Sequence, residues 1–373
     1  YVDAENAKFK QLDVGTNKGV ALLGGKNSSG NYTVLCFYAT ANAATSFTVP
    51  SYISWIYGTA FECDYKLQSI LVESGNTSFT SVDGVLYGKS SDDGDYFSLY
   101  HYPAGKTGDS YTAVTSVTMN GTTYTPNRVK GFAFRGQLYL TSLTLPACYT
   151  TSSGEIASNA AKLATFTAYG LTGTGSFAFS GCKKLTTVNA PALKTIHSYA
   201  FQYCGFSTIT IPAGVTTIET NAFLYCSNLK TVIIDSQTIA SLTSTNSELY
   251  NNCTTLYVKT GLSLGSLITN NYAKLPTSDK AGYDKYIRPD DFSFVGINKD
   301  YLNSLNLGQN ASVLYTEDES KIGAYMFAGI TGSQTIITIP ETYKGKQVIA
   351  IKYEALKNNT TITSVTMPNT IKC

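Results

Sequence analysis

The stretch "AFSGCKKLTTVNAPALKTIHSYAFQYCGFSTITIPAGVTTIETNAFLYCSNLKTVII", residues 178–234, states Ala-Phe-x-x-Cys three times. Phe179, Phe201 and Phe223 lie 22 residues apart, and Cys182, Cys204 and Cys226 keep the same step. A fixed period of this length marks a chain of stacked coils. After each Cys comes a short apolar alternation: Leu185, Val188, Ala190; then Phe206, Ile209, Ile211; then Leu229, Val232, Ile234. The frame also holds upstream in Leu163, Phe166, Ala168, in Leu140, Leu143, Leu145, and in Leu67, Ile70, Val72. Alternation with a period of two reads as strand. The spacing therefore predicts strands at 67–72, 140–145, 163–168, 185–190, 206–211 and 229–234, stacked as one parallel sheet. No coil can bury its own Phe, so the Phe side chains form a column in which each is covered by its neighbours. The Cys residues are expected at the tight inner corner as buried, reduced thiols. Zinc ligation is the rival role, but no C-x-x-C pair or nearby His supplies the spacing. Disulfides are the other rival, because corners one coil apart come near the bridging distance.

This frame resembles the leucine-rich repeat, and "IPAGVTTIETNAFLYCSNL" at 211–229 resembles its BspA-like, or Treponema-type, branch. Two other segments are similar to that branch. One is "FTSVDGVLYGKSSDDGDYFSLYHYPAGKTGDSYT" at 79–112, a hairpin variant. The other is "ITGSQTIITIPETYKGKQVIAIKYEALKNNTTITSVTMPNTI" at 330–371, where Ala355-Leu356 replaces Ala-Phe and no Cys follows. The resemblance implies an α/β repeat fold, a right-handed leucine-rich repeat solenoid, β-rich with short helical or 3-10 turns. It also implies a non-catalytic cell-surface or secreted protein that mediates protein–protein interaction or adhesion. The expected organisation is an N-terminal cap and sheet lead-in at 1–59 and a solenoid at 60–235 with a hairpin insertion at 79–112. An irregular capping segment at 236–290 and a second short repeat block at 291–373 complete it.

The composition narrows the partners. Of the 373 residues 14% are charged, and Lys+Arg 27 nearly cancels Asp+Glu 25, so nothing attracts a polyanion and nucleic acid is excluded. No apolar run reaches the roughly 18 residues that cross a bilayer, so no membrane span is expected. The chain begins at Tyr1, which fits removal of a signal segment and a secreted or cell-surface location. Tyr 28 and Phe 17 stand against His 2 and Trp 1, a balance that favours strands and offers little acid–base chemistry.

The motifs with chemical potential are few. Ser180 and Lys183 match S-x-x-K but lack the companion motifs of a serine acyl enzyme. Asp92, Asp93 and Asp95 have the density of a calcium loop without its twelve-residue ligand pattern, and an Asp-Gly hairpin tip explains them. His101 has no triad neighbours, and His197, which aligns with Glu219 one coil on, is expected in solvent. No catalytic residue, metal or cofactor is expected. Asn-x-Ser/Thr sites such as Asn120 and Asn358 would carry glycans only in a eukaryotic secretory route.

The candidate binding face is the set of strand residues pointing away from the core: Ser142, Thr144, Thr165, Thr167, Thr187, Asn189, Thr208, Thr210 and Thr231, with Ile233 beside them. Cross-strand Thr pairing would give these columns a purely structural role. A hydrogen-bonding strip on the ligand face of a repeat protein is the functional reading. The partner class is an extracellular protein. The alternative is a glycan, bound by a carbohydrate-binding module of a surface glycan-utilisation system, motivated by the Tyr surplus. A concave Tyr cluster would favour the sugar and a flat Thr strip the protein.

Overall fold

The structure, a computed structural model, describes residues 9–11, 21–38, 44–62, 64–89, 94, 96–236, 239, 253–262, 272–288, 292–304, 315–352 and 354–372. Cys63, the Asp92, Asp93 and Asp95 tip, and Cys373 lie outside the described residues. The chain divides into two compact units, residues 1–229 and 230–373.

The first unit is a β-solenoid. Its repeating strands are Ser69–Val72, Ser142–Leu145, Thr165–Ala168, Thr187–Asn189 and Thr208–Ile211. Each begins two residues later than the apolar pattern predicts. The leading Leu is buried, but its N–H closes a turn onto the corner residue, as in Leu67 to Asp64 O and Leu185 to Cys182 O. Its amide is therefore spent before the ladder starts.

The ladders are parallel, with Ser142 opposite Thr165 and Thr165 opposite Thr187, but they do not form one sheet. Ser46–Val49 pairs with Ser69–Val72, and Ser110–Thr112 pairs with Ser142–Leu145. No ladder joins Ser69–Val72 to Ser110–Thr112, or Thr187–Asn189 to Thr208–Ile211. The same local contact marks both breaks. Gly105 N–H donates to Leu67 O and Gly205 N–H to Leu185 O. A Cβ on Gly105 would stand 2.5 Å from Tyr65 O, and one on Gly205 2.3 Å from Lys183 O, so only glycine lets the backbones approach this closely. At Gly205 the cause is visible in the spacing: Cys204 and Phe206 are separated by one residue, Cys182 and Leu185 by two.

The helical turns implied by the resemblance are not what closes each coil. Around Ala200-Phe201 the bonds run from Ala200 N to His197 O, Gln202 N to Tyr199 O and Cys204 N to Phe201 O, one turn after another. Tyr199 and Tyr203 flank them at φ 58° each, and Phe177, Asn221 and Tyr225 hold equivalent places at 55°, 59° and 60°. A left-handed residue on each side of Ala-Phe prevents any run of right-handed helix. Among the described residues the one 3-10 segment is Lys299–Ser304, in the second unit, so an α/β label does not fit.

The Phe column forms as expected. Phe179 stacks on Phe201 at 5.6 Å between ring centroids and Phe201 on Phe223 at 5.4 Å, each ring at most 1% exposed. In the first unit one described coil lacks the aromatic: Ala157 stands at the Phe position. There Phe166, from the neighbouring strand, leans in to 4.4 Å from Phe179 and fills the space.

Three residues beyond each Phe is the corner. Cys182 Sγ donates to Ala157 O at 2.9 Å, Cys204 Sγ to Phe179 O at 3.3 Å and Cys226 Sγ to Phe201 O at 3.0 Å. These thiols are free and buried, and burial pushes the Cys182 and Cys226 pKa up to about 12. In earlier coils the corner is Asp64, bonded to Ala104 N and His101 Nε2, and Gln137, bonded to Pro103 O.

In the second unit Thr231–Ile234 pairs parallel with Thr255–Lys259, which continues antiparallel to Tyr283–Ile287. Phe292–Asn298 and Ile322–Ile330 form a long antiparallel pair, and Lys346–Ile351 joins it in parallel. Ile336–Thr338 and Ser364–Thr366 restart the repeat ladder.

Candidate functional site: the strand face

The strand residues that face away from the core line up as the sequence anticipates. Ser142, Thr165 and Thr187 stand opposite one another in one column, and Thr144, Thr167 and Asn189 in the next. Two residues absent from the sequence reading extend both columns: Ser110 lies opposite Ser142 and Thr112 opposite Thr144. The hairpin insertion hides them by breaking the period. Thr208 and Thr210 lie beyond the break at Gly205. In the second unit Thr231 lies opposite Thr255 and Ile233 opposite Tyr257.

Among the described residues, the hydroxyls of Ser142, Thr144, Thr165, Thr167, Thr187, Thr208 and Thr210 bond to no other protein group, so the cross-strand Thr pairing is not seen. Threonines elsewhere in the coil behave differently. Thr141 Oγ1 donates to Asp109 O at 2.8 Å and Thr172 Oγ1 to Thr150 O at 3.0 Å, each reaching one coil back. Thr187, Asn189, Thr208 and Thr210 are exposed, and Ser142, Thr144, Thr165 and Thr167 are half-buried. The strip is neutral and offers both donors and acceptors.

The other candidates are absorbed by packing. Ser180 Oγ donates to Gln202 Oε1 at 3.0 Å, and Lys183 is exposed. His197 is not in solvent: half-buried, its Nδ1 accepts from Gly175 N at 3.1 Å, much as Glu219 accepts from Ser198 N one coil on. His101 is buried, stacked 5.1 Å from Phe61 and 3.1 Å from Asp64 Oδ2. Exposed aromatics of the repeats occur on the turns: Tyr203 stacks on Tyr225 at 4.8 Å, and Phe177 on half-buried Tyr199 at 4.7 Å, while the strand columns hold the half-buried Tyr257. Among the described residues no three His, Cys, Asp or Glu side chains gather where they could hold a metal.

A model of the BspA type leucine-rich repeat region matches residues 159–274 and 306–373, in six copies. Within these two segments the repeats are similar to the BspA-type leucine-rich repeat region. Thr165, Thr167, Thr187, Asn189, Thr208, Thr210 and Thr231 all lie within its first matched segment, whereas Ser142, Thr144 and the hairpin precede it. Among solved structures, the chain is similar to a leucine rich cell surface protein from Faecalibacterium prausnitzii A2-165, at 19% identity and a TM-score of 0.42, over 61% of this chain and 51% of that one. It is also similar to the pneumococcal vaccine antigen PcpA, at 22% identity and a TM-score of 0.41, over 64% of this chain and 52% of the other. A leucine-rich repeat protein from Eubacterium ventriosum aligns at 22% identity and a TM-score of 0.35, over 52% of this chain and 63% of its own. The match thus takes in about half the length of the first two. No curated protein matches the chain.

Proposed function

We propose that the chain is a non-catalytic interaction protein, secreted or displayed at a cell surface, that engages an extracellular protein and serves adhesion through its strand face. The observation that carries this is the set of in-register hydroxyls that no other group engages among the described residues. Polar groups that stabilise nothing internally are free to bond a partner, and a repeat array spreads such bonds over many coils. The repeat family supports a protein partner. No described helix is long and apolar enough to cross a membrane. The small net charge, +2, implies affinity that changes little with salt.

The test is an array of purified matrix and cell-surface proteins, followed by titration of each hit against the wild type and the variant T165E/T187E. Thr165 and Thr187 face each other across one ladder, so two carboxylates there repel and block the strip. Binding is expected to weaken at least tenfold while circular dichroism shows the fold retained. Equal affinity for both proteins would place the interface elsewhere.

A further inference from the structure

The second unit holds a cleft that the repeat pattern does not explain. Tyr315 bridges to Ile297 at the edge of the Phe292–Asn298 and Ile322–Ile330 pair, and a cavity of about 420 Å³ opens beside it. That volume lies within the roughly 300–1,000 Å³ of small-ligand sites. Four rings line it. Phe294 stacks on Tyr343 at 4.1 Å and Tyr325 meets Tyr343 at 4.8 Å and a steep angle, so three of them brace one another. Tyr315 is half-buried and, among the described residues, pairs with no other ring. The lining also includes Gly296, where a Cβ would stand 2.7 Å from Thr316 O and 2.5 Å from Ile322 Cδ1. The strand can pass here only without a side chain.

Polar groups are interleaved with the rings. Tyr325 is 5% exposed, and its hydroxyl has no hydrogen-bond partner among the described residues. Glu317 lines the cleft, and so does the ion pair of Lys344 Nζ with Glu319 Oε1 at 2.5 Å. The signs of these charges select the ligand. An anion would meet two carboxylates. A cation would gain from the rings but would meet the Lys344 ammonium, 6.0 Å from the Tyr343 centroid. A neutral polyol meets neither repulsion, and its hydroxyls can donate to carboxylate and accept from ammonium.

We propose that this cleft binds a neutral hexopyranose unit, with the apolar C–H face of the sugar against an aromatic ring and its hydroxyls on Glu317, the Glu319–Lys344 pair and the Tyr325 hydroxyl. The cleft shares no residue with the strand face, so either assignment can fail alone.

The probes are the methyl glycosides of glucose, galactose, mannose and N-acetylglucosamine, measured by saturation-transfer NMR and titration calorimetry on the full chain. At least one is expected to bind, with affinity lowered tenfold or more in Y315A and unchanged in T165E/T187E. Y325F removes a single hydroxyl, leaves the ring packing intact and is expected to weaken binding several-fold, which serves if Y315A does not fold. Failure of all four glycosides to bind the wild type overturns the proposal. So does equal binding by the wild type and Y325F, or binding of a proline-rich peptide at the cleft with none of the sugars.

Discussion

In the coil of Phe134 the corner residue is Gln137; in the coil of Phe179 it is Cys182. Gln137 is fully buried and its carboxamide works in both directions, donating to Pro103 O at 2.9 Å and accepting from Tyr139 N at 2.7 Å and Leu140 N at 3.2 Å. Cys182 donates a single bond through sulfur, to Ala157 O. Asp64 resembles Gln137 in strength but only accepts, from Ala104 N and the His101 ring. The corner thus bonds in different directions: Gln137 and Cys182 reach the backbone one coil back, whereas Asp64 takes an amide from the coil that follows. The corner is filled by a weakly polar thiol that also packs as a hydrophobe, or by a polar side chain whose oxygens are hydrogen-bonded. The same position recurs in the second unit as Asn359, whose Oδ1 accepts from Thr361 N and Ile362 N. The difference teaches that the Cys of the repeat is a packing choice: the coil of Ala157 has buried Ala160 at its corner, which makes no side-chain hydrogen bond, and Asn359 bonds only within its own coil.

The comparison can be broken at several levels. The largest effect is expected where both kinds of coil rely on the same column. Phe201→Ala should cost about 3–5 kcal/mol, the range for a core aromatic. The coil of Ala157 survives without a Phe only because Phe166 fills the gap, and no such ring waits beside Phe201 except Phe206, which already packs edge-on at 5.6 Å. A denaturation midpoint unchanged by this substitution would remove the column from the core. Next is Gln137→Ala, which strands two amides and a carbonyl and should cost about 1–3 kcal/mol. Cys204→Ala should cost about 1 kcal/mol or less, since one weak bond and little volume are lost. If chemical denaturation ranks these two in the opposite order, the thiol is more than a packing choice.

Alkali supplies a finer test. Burial raises the Cys182 pKa from 9.0 to about 12. The neutral thiol is thus favoured in the folded state, and above pH 9 the unfolded chain releases a proton that the folded chain keeps. This contribution to stability is complete below about pH 9 and is lost as the pH rises through about 12. Stability measured from pH 8 to 11 should therefore fall less steeply in Cys182→Ala than in the wild type. Parallel curves would show that the thiol titrates as if exposed. For the same reason, native alkylation of Cys182, Cys204 and Cys226 should be far slower than that of the half-buried Cys148, read peptide by peptide in a mass spectrometer.

The Phe column, the strand sites and their outward columns were legible because each follows from a single period, and periodicity survives substitution. Other features do not repeat and so left weaker marks. The corner of the Phe61 coil is Asp64, and the Phe-x-x-Cys spacing does not mark it because Cys63 stands one place early. The missing residue between Cys204 and Phe206 was in plain view, but its consequence depends on a backbone approach that only coordinates show. Tyr199 and Tyr203 gave no hint of a left-handed backbone, because bulky aromatics disfavour it and glycine or asparagine is the usual signal. The cleft draws on Phe294, Gly296, Tyr315, Tyr325 and Tyr343, which share no spacing at all.

Gly105 and Gly205 act on the outward hydroxyl rows as dislocations act on a lattice. Between them lies one coherent domain of four strands, Ser110–Thr112, Ser142–Leu145, Thr165–Ala168 and Thr187–Asn189. Three inter-strand gaps of roughly 4.8 Å give that domain a coherence length of about 14 Å. A stiff ligand with its own regular repeat can stay commensurate with the hydroxyls only over that distance, and at either fault it loses phase. On the reading of this face as a binding strip, the coherent stretch is a ruler cut to a short length, which would suit a compact epitope better than an endless polymer.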